Sequence, residues 1–258
     1  MKHFIFSDIH GNWELFEQIL NFLNSQEDEW QCIVIGDACD RGPAGYKIMK
    51  HLLDDKRFIY LAGNHEHMFV NTAVELCNIK NEENWTHEQM ILEGRSWLEF
   101  YSNHTANHYF GNGGDSTFEA WLNDGAPWAF VYKIKRLPII MSYEKYDIMH
   151  GGCYASTFKY HDSWDEYDEY DALWNRTHFI NPWTKNRTMI HGHTPICNMP
   201  RGILRETHHY TWKPIIYNGG EKINMDCATY HSGRISIMDL DTGEFYHFAT
   251  EEALPIDF

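Results

Sequence analysis

Five short apolar runs in this chain each end directly on residues that can hold a metal ion, and no other feature restricts the fold as much. Phe4–Phe6 precedes Ser7-Asp8-Ile9-His10-Gly11-Asn12, and Cys32–Ile35 precedes Gly36-Asp37-Ala38-Cys39-Asp40-Arg41-Gly42. Phe58–Ala62 precedes Gly63-Asn64-His65-Glu66, Asp147–Met149 precedes His150-Gly151-Gly152, and Met189-Ile190 precedes His191-Gly192-His193-Thr194. Runs this short and apolar read as buried strands. In open α/β sheets, ligands bind in the crevice outside the carboxyl ends of strands. Five such ends would gather Asp8, His10, Asp37, Asn64, His150 and His193. Asp8 and His10 are two apart, so an extended chain would point both the same way. The glycines after the ligands let the backbone turn sharply and come close to an ion.

The sequence between the runs supplies the crossovers. Residues 12–25 carry Trp13, Phe16, Ile19, Leu20 and Leu23 at the spacing of a helix face. A second helix follows Pro43, a residue suited to a first helical turn, and buries Tyr46, Ile48, Met49, Leu52 and Leu53. Strand-helix-strand-helix-strand implies parallel pairing with right-handed crossovers. Residues 66 to about 130 look mostly helical, broken at Gly111-Asn112-Gly113-Gly114, after which Ser116 and Glu119 have capping-box spacing. Strand signals return beyond residue 137, and the last sixty residues read as largely β, with a turn at Asp241-Thr242-Gly243. The expectation is an α/β fold, a two-layer β-sandwich flanked by helices. It would form one domain over residues 1–258, with a mostly helical insertion at about 66–130.

Hydrophobic and charged contents of 43% and 22% are globular values that permit a sizeable core. A net charge of -16 argues against binding a nucleic-acid polymer, which needs a basic face. The six cysteines form no CxxC pair, the N-terminal apolar run is three residues long, and nothing approaches the roughly 20 apolar residues of a membrane span. A reduced, cytoplasmic protein with no membrane partner is expected.

Together the motifs resemble those of the calcineurin-like metallophosphoesterases, in particular the phosphoprotein phosphatase family in its bacterial and phage form. Gly36-Asp37-x-x-Asp40-Arg41-Gly42 and Gly63-Asn64-His65-Glu66 carry most of that likeness, which runs through spaced motifs from residue 5 to about 240. The resemblance implies that Asp8 and His10 hold one metal and that Asp37 bridges two, with Asn64, His150 and His193 completing the second site. It makes His65 the general acid, oriented by Asp40, and Arg41 a phosphate ligand. Leu173-Trp174-Asn175-Arg176 is similar to the segment carrying a second phosphate-binding arginine, here Arg176. Asn224-Met225-Asp226 is similar to a late Ile-Asp-Thr-Gly motif, with Cys227 and Ala228 in place of its last two residues.

Ligand chemistry agrees with those roles. Carboxylate, imidazole and amide donors suit two divalent first-row ions, manganese first, with iron or zinc as alternatives. Two metals about 3.5–4 Å apart activate a shared water for in-line attack on phosphorus. A carboxylate beside His65 favours its protonated form, and guanidinium forks match the non-bridging oxygens. Two divalent ions and two arginines against Asp8 and Asp37 leave a cationic pocket in an acidic protein, and screening over about 8 Å keeps the two fields separate. A phosphomonoester hydrolase follows, a serine/threonine protein phosphatase acting on phosphorylated protein or small phosphoesters. Symmetrical dinucleoside tetraphosphate hydrolases resemble the same family and are the alternative, though Asp40 and Glu66 favour the phosphatase. A non-catalytic metal scaffold is the remaining reading, and the presence of His65 and both arginines speaks against it. His191 is expected to support the ligands from behind. His208, His209 and His231 are expected to be ordinary, and Trp85, Trp97, Trp121 and Trp128 to be packing residues. The acidic segment Asp162–Asp171 is read as a solvated loop, or else as a rim for basic phosphopeptides.

Overall fold

A computed structural model of the protein describes residues 1–101, 104–153, 166–176, 178–183 and 186–258. Its first third alternates as the sequence predicts: β1 (Lys2–Phe6), α1 (Trp13–Asn24), β2 (Trp30–Ile35), α2 (Gly45–Asp54) and β3 (Phe58–Leu61). Asn12 caps α1 by accepting the Leu15 N–H at 3.1 Å, which fixes how the chain leaves the first polar loop. Helices α3 (Asn64–Glu82), α4 (His87–Tyr101), α5 (His104–Gly111), α6 (Asp115–Asn123) and α7 (Trp128–Lys135) follow. The remainder is β4 (Ile140–Tyr143), β5 (Tyr146–Met149), α8 (Glu166–Trp174), β6 (Thr188–His191), α9 (Arg201–Glu206), β7 (Ile215–Tyr217), β8 (Lys222–Asn224), α10 (Thr229–Ser232), β9 (Arg234–Asp239) and β10 (Phe245–Ala249).

The strands form two five-stranded mixed sheets, ordered β10-β9-β1-β2-β3 and β4-β5-β6-β8-β7. β1, β2 and β3 run parallel, and so do β5, β6 and β8. Alternation along each strand decides what it touches. Phe4, Phe6, Cys32 and Val34 pack outward with α1, α2 and α3, while Ile5, Ile33, Ile35 and Leu61 face inward. There they meet Ile148, Ile190 and Ile223 of the second sheet. Met149 and Met189 point away from that interior, toward Cys153 and Trp183. This is the expected α/β architecture, two sheets face to face with helices outside.

Helices α3 to α7 bury Trp121 completely, ringed by Phe69, Phe118 and Trp128. Trp85 and Trp128 pack partly buried against the same cluster. Burial of such a side chain stabilises by about 1.5–3 kcal/mol, so these tryptophans act as packing residues. The side chain of Trp97 and residues 162–165 lie outside the described residues. Two expectations need correction. Ser116 and Glu119 form no capping box: α6 starts after Gly114 without a side-chain cap, and the Ser116 hydroxyl donates to the Gly42 carbonyl at 2.8 Å. The acidic stretch is not all loop, because residues 166–171 belong to α8.

Candidate metal centre

The polar loops that leave β1, β2, β3, β5 and β6 meet at one end of the sandwich. Asp8, His10, Asp37, Asp40, Arg41 and His193 all have left-handed backbone, with φ of 55°, 46°, 52°, 66°, 64° and 65°. The extended Asp8–His10 pair read from spacing is therefore not what forms. Sharp turns bring both side chains inward, at a cost of order 1–3 kcal/mol per residue. Inter-loop hydrogen bonds hold them: His10 N–H to the Asp37 carbonyl at 3.0 Å, Gly11 N–H to Ala38 at 3.0 Å and Gly42 N–H to His10 at 3.1 Å. Gly192 is required by close approach, because a Cβ there would collide with the Asp8 carboxylate and the Ser7 hydroxyl.

Glu66 is the main buttress, and its part is not visible from sequence position alone. Its buried carboxylate accepts N–H groups of Asp37 (2.8 Å), Ala38 (2.9 Å) and Gly63 (2.7 Å) and the Tyr60 hydroxyl (2.7 Å). One side chain thus locks the β2 loop to the start of α3. The bond to Gly63, three residues back, is the one local signal, since an acid at that position of a helix reaches the cap N–H.

Ligand-type atoms cluster in two groups that share Asp37: His10, Asp37 and His65, and Asp37, His150 and His193, each within 4.8 Å of one another. Asp37 Oδ2 is 3.6 Å from His10 Nε2, and Oδ1 is 3.2 Å from His150 Nε2, so its two oxygens face different groups. Asn64 Oδ1 lies 2.9 Å from His150 Nε2 and 2.7 Å from His193 Nδ1. Asp8 Oδ1 is 4.0 Å from His10 Nε2, and Asp8 also accepts the His193 N–H at 3.1 Å. His10 Nδ1 and His150 Nδ1 donate to the carbonyls of Cys39 (3.0 Å) and Ile35 (2.7 Å), so each ring turns its Nε2 toward Asp37. His193 Nε2 is buried with no partner among the described residues. The orphaned imidazole nitrogen, and two groups of donor atoms that share one carboxylate, fit a pair of cations.

His65 is the third member of the first group. Its Nδ1 donates to Asp40 Oδ2 at 2.8 Å, and its Nε2 is 3.8 Å from Asp37 Oδ2 and 3.2 Å from an Arg41 Nη. Asp40 is itself fixed by the Tyr109 hydroxyl at 3.0 Å and by its own N–H on Thr117 Oγ1 at 2.9 Å. Burial alone would lower the His65 pKa, but the Asp37 and Asp40 carboxylates outweigh it and hold it above the ordinary value. Burial also opposes a charge on His150, yet Asp37 carries it up to about 10. Asp37 is held well below the carboxylate range: burial works against its charge, and His150 and His65 prevail. Burial pushes Asp226 up to about 6 and drives Asp8 well up, with the Asp226 charge adding to the rise in Asp8.

Arg176 is exposed just beyond α8, close enough to His193 for its charge to help depress that imidazole after burial and His150 have done so. Trp174 sets its ring edge on His193, with centroids 5.9 Å apart. His191 belongs to neither ligand group and bonds Tyr217 Oη at 2.8 Å from behind. Among the described residues no helix is long and apolar enough to cross a membrane.

Comparison with known proteins gives the same direction. A family model described as calcineurin-like phosphoesterase matches residues 1–223. The symmetrical bis(5'-nucleosyl)-tetraphosphatase of Wigglesworthia glossinidia brevipalpis is 30% identical over 87 residues, 33% of this chain. The match spans only about a third (32%) of that curated relative. A solved structure described as a candidate diadenosine tetraphosphatase has a TM-score of 0.59 at 14% identity, covering 98% of this chain and 95% of its own. A protein serine/threonine phosphatase from Saccharomyces cerevisiae has a TM-score of 0.52 at 15% identity, covering 100% and 82%. At those identities the solved structures speak for the fold alone.

Proposed function

Because the chain belongs to the calcineurin-like phosphoesterase family, and so is a phosphoester hydrolase, we propose that it is a metal-dependent serine/threonine phosphoprotein phosphatase. The observation that carries this reading is the buried Asp40–His65 pair, 2.8 Å apart, standing beside the shared carboxylate Asp37. In this reading Asp8, His10 and Asp37 hold one divalent ion, and Asp37, Asn64, His150 and His193 hold the other. When bound, the ions would supply Lewis acidity and an activated water. Manganese suits this donor set, with iron or zinc as alternatives.

The chain's own residues supply the rest. Arg41 and Arg176 fork onto the non-bridging phosphoryl oxygens, a geometry that also favours the build-up of negative charge there. When Arg41 turns to the phosphate it leaves His65 Nε2, which can then carry a proton. His65, kept in one tautomer by Asp40, gives that proton to the departing alkoxide. Residues 1–258 act as one domain in this account, with the helices after β3 contributing Tyr109 and Thr117 to hold Asp40. A cytoplasmic setting suits the six free cysteines.

A second reading, hydrolysis of dinucleoside tetraphosphates, is favoured by the likeness to the symmetrical tetraphosphatase. The phosphatase reading requires activity on p-nitrophenyl phosphate with added manganese, and its loss on chelation. A metal-reconstituted protein that neither releases phosphate from that ester nor converts diadenosine tetraphosphate to ADP would sink both readings together. The readings separate in a side-by-side measurement of kcat/KM on a phosphoserine peptide and on diadenosine tetraphosphate. The peptide should be the faster substrate, and a preference for the dinucleotide would transfer the assignment to the second reading.

A further inference from the structure

Arg176 sits between two anchored stretches of chain. Upstream, the Gly151 N–H donates to the Ala172 carbonyl at 2.5 Å, so the end of α8 is seated on the loop that carries His150. Downstream, the short 3-10 turn His178–Ile180 and the residues after it are gripped by the hairpin of β7 and β8. Asn218 Nδ2 donates to the Phe179 carbonyl at 3.0 Å, and Glu221 Oε2 accepts the Trp183 N–H at 3.0 Å. Lys222, 1% exposed, donates its ammonium to the carbonyls of both His178 and Asn181. Beneath the turn, the buried His178 ring meets His191 edge-on at 4.6 Å and leaves no room for a Cβ at Gly152.

A lysine is an expensive choice for such a position. Burying an ammonium costs several kcal/mol unless its donors are met, and an apolar side chain could fill the space without that cost. What an apolar side chain could not do is tie together the carbonyls at the two ends of the turn, that of His178, which also accepts the Asn181 N–H at 3.3 Å, and that of Asn181. Burial pushes the Lys222 amine down to about 8, so it keeps its proton at neutral pH and stays a full donor.

We propose that Lys222, through the β7–β8 hairpin, is the positioning residue for Arg176 and thereby sets the affinity of the site for the phosphoryl group. This rests on the reading of Arg176 as a phosphate ligand. Lys222 touches no substrate. It fixes the chain on the far side of Arg176 so that the guanidinium need not be ordered each time phosphate binds, and a pre-organised group loses less entropy on binding.

The test is a double-mutant cycle on the full-length, manganese-loaded protein, reading kcat and KM for p-nitrophenyl phosphate and the inhibition constant of inorganic phosphate. Lys222→Met and Arg176→Ala should each raise KM and the phosphate inhibition constant about tenfold, with a smaller change in kcat, a coupling of the size seen within one network. The double variant should be no weaker than Arg176→Ala alone. Asn218→Gly removes a single bond to the turn while keeping a residue that accepts the φ of 50° found there. It should shift KM in the same direction by about twofold, and not at all in the Arg176→Ala background. It also keeps the test informative where Lys222→Met fails to fold. Losses that multiply in the double variants, or an unchanged KM in both hairpin variants while Arg176→Ala raises it, would overturn the positioning role. An unchanged KM in Arg176→Ala would overturn the phosphate-ligand reading itself, and this inference with it.

Discussion

Replacing Asp37 with Asn should lower kcat/KM on p-nitrophenyl phosphate by about 10³-fold or more, since two ions together supply several kcal/mol of charge stabilisation. The expectation follows from where its two oxygens point. Oδ2 faces His10 and His65, and Oδ1 faces His150, so one substitution removes the only carboxylate common to both donor groups. The fold should survive, because Asn keeps the volume and can still accept the His65 N–H that Asp37 Oδ1 receives at 3.0 Å. Elemental analysis after dialysis should find fewer than one manganese per chain, against two in the parent. A variant that keeps two ions, or loses less than tenfold in rate, would remove Asp37 from its bridging role.

Changing His65 to Asn should have the second largest effect, and one that depends on the leaving group. General acid catalysis is worth about 10²–10⁴-fold where an alkoxide must leave. A phosphoserine peptide should therefore lose a factor in that range, while p-nitrophenyl phosphate, whose phenolate leaves unaided, should lose less than about tenfold. The structural reason is the short Nδ1 bond to Asp40, which leaves Nε2 as the one nitrogen able to face the substrate. Equal losses on the two esters would place His65 among the metal donors instead, a role its position within 4.8 Å of His10 and Asp37 also allows.

How much of the fold and the centre is legible in the sequence differs from residue to residue. The strand ends are readable because short apolar runs that stop on glycine and metal-competent residues seldom recur five times unless they converge on an ion. All five lie in the two sheets. The inward and outward faces of β1 and β2 can be read from alternation alone. The backbone at Asp8 and His10 cannot, because left-handed turns by non-glycine residues are imposed by the loops they pack against. Glu66 is legible as a motif letter but not as the acceptor of four donors, three of them from other loops or strands. Ser116 misleads for the same reason. Its spacing from Glu119 suggests a helix cap, while the folded chain directs its hydroxyl to the Gly42 carbonyl. The grip of the β7–β8 hairpin on the turn after Arg176 joins residues some forty apart, and no local pattern announces it.

The division of the donors between two sheets also bears on when the protein can acquire its ions. Of the proposed donors, Asp8, His10, Asp37 and Asn64 follow strands of the first sheet, whereas His150 and His193 follow strands of the second. The first sheet is completed only by β9 and β10, which come later in the chain than every described strand of the second sheet. Chains are synthesised from the N-terminus, so a growing chain holds the early donors long before their partners exist. A metal bound across both sheets favours the closed sandwich over any half-built one by mass action. Cation supply would then favour chains whose two sheets are joined over chains in which only the early donors have been made.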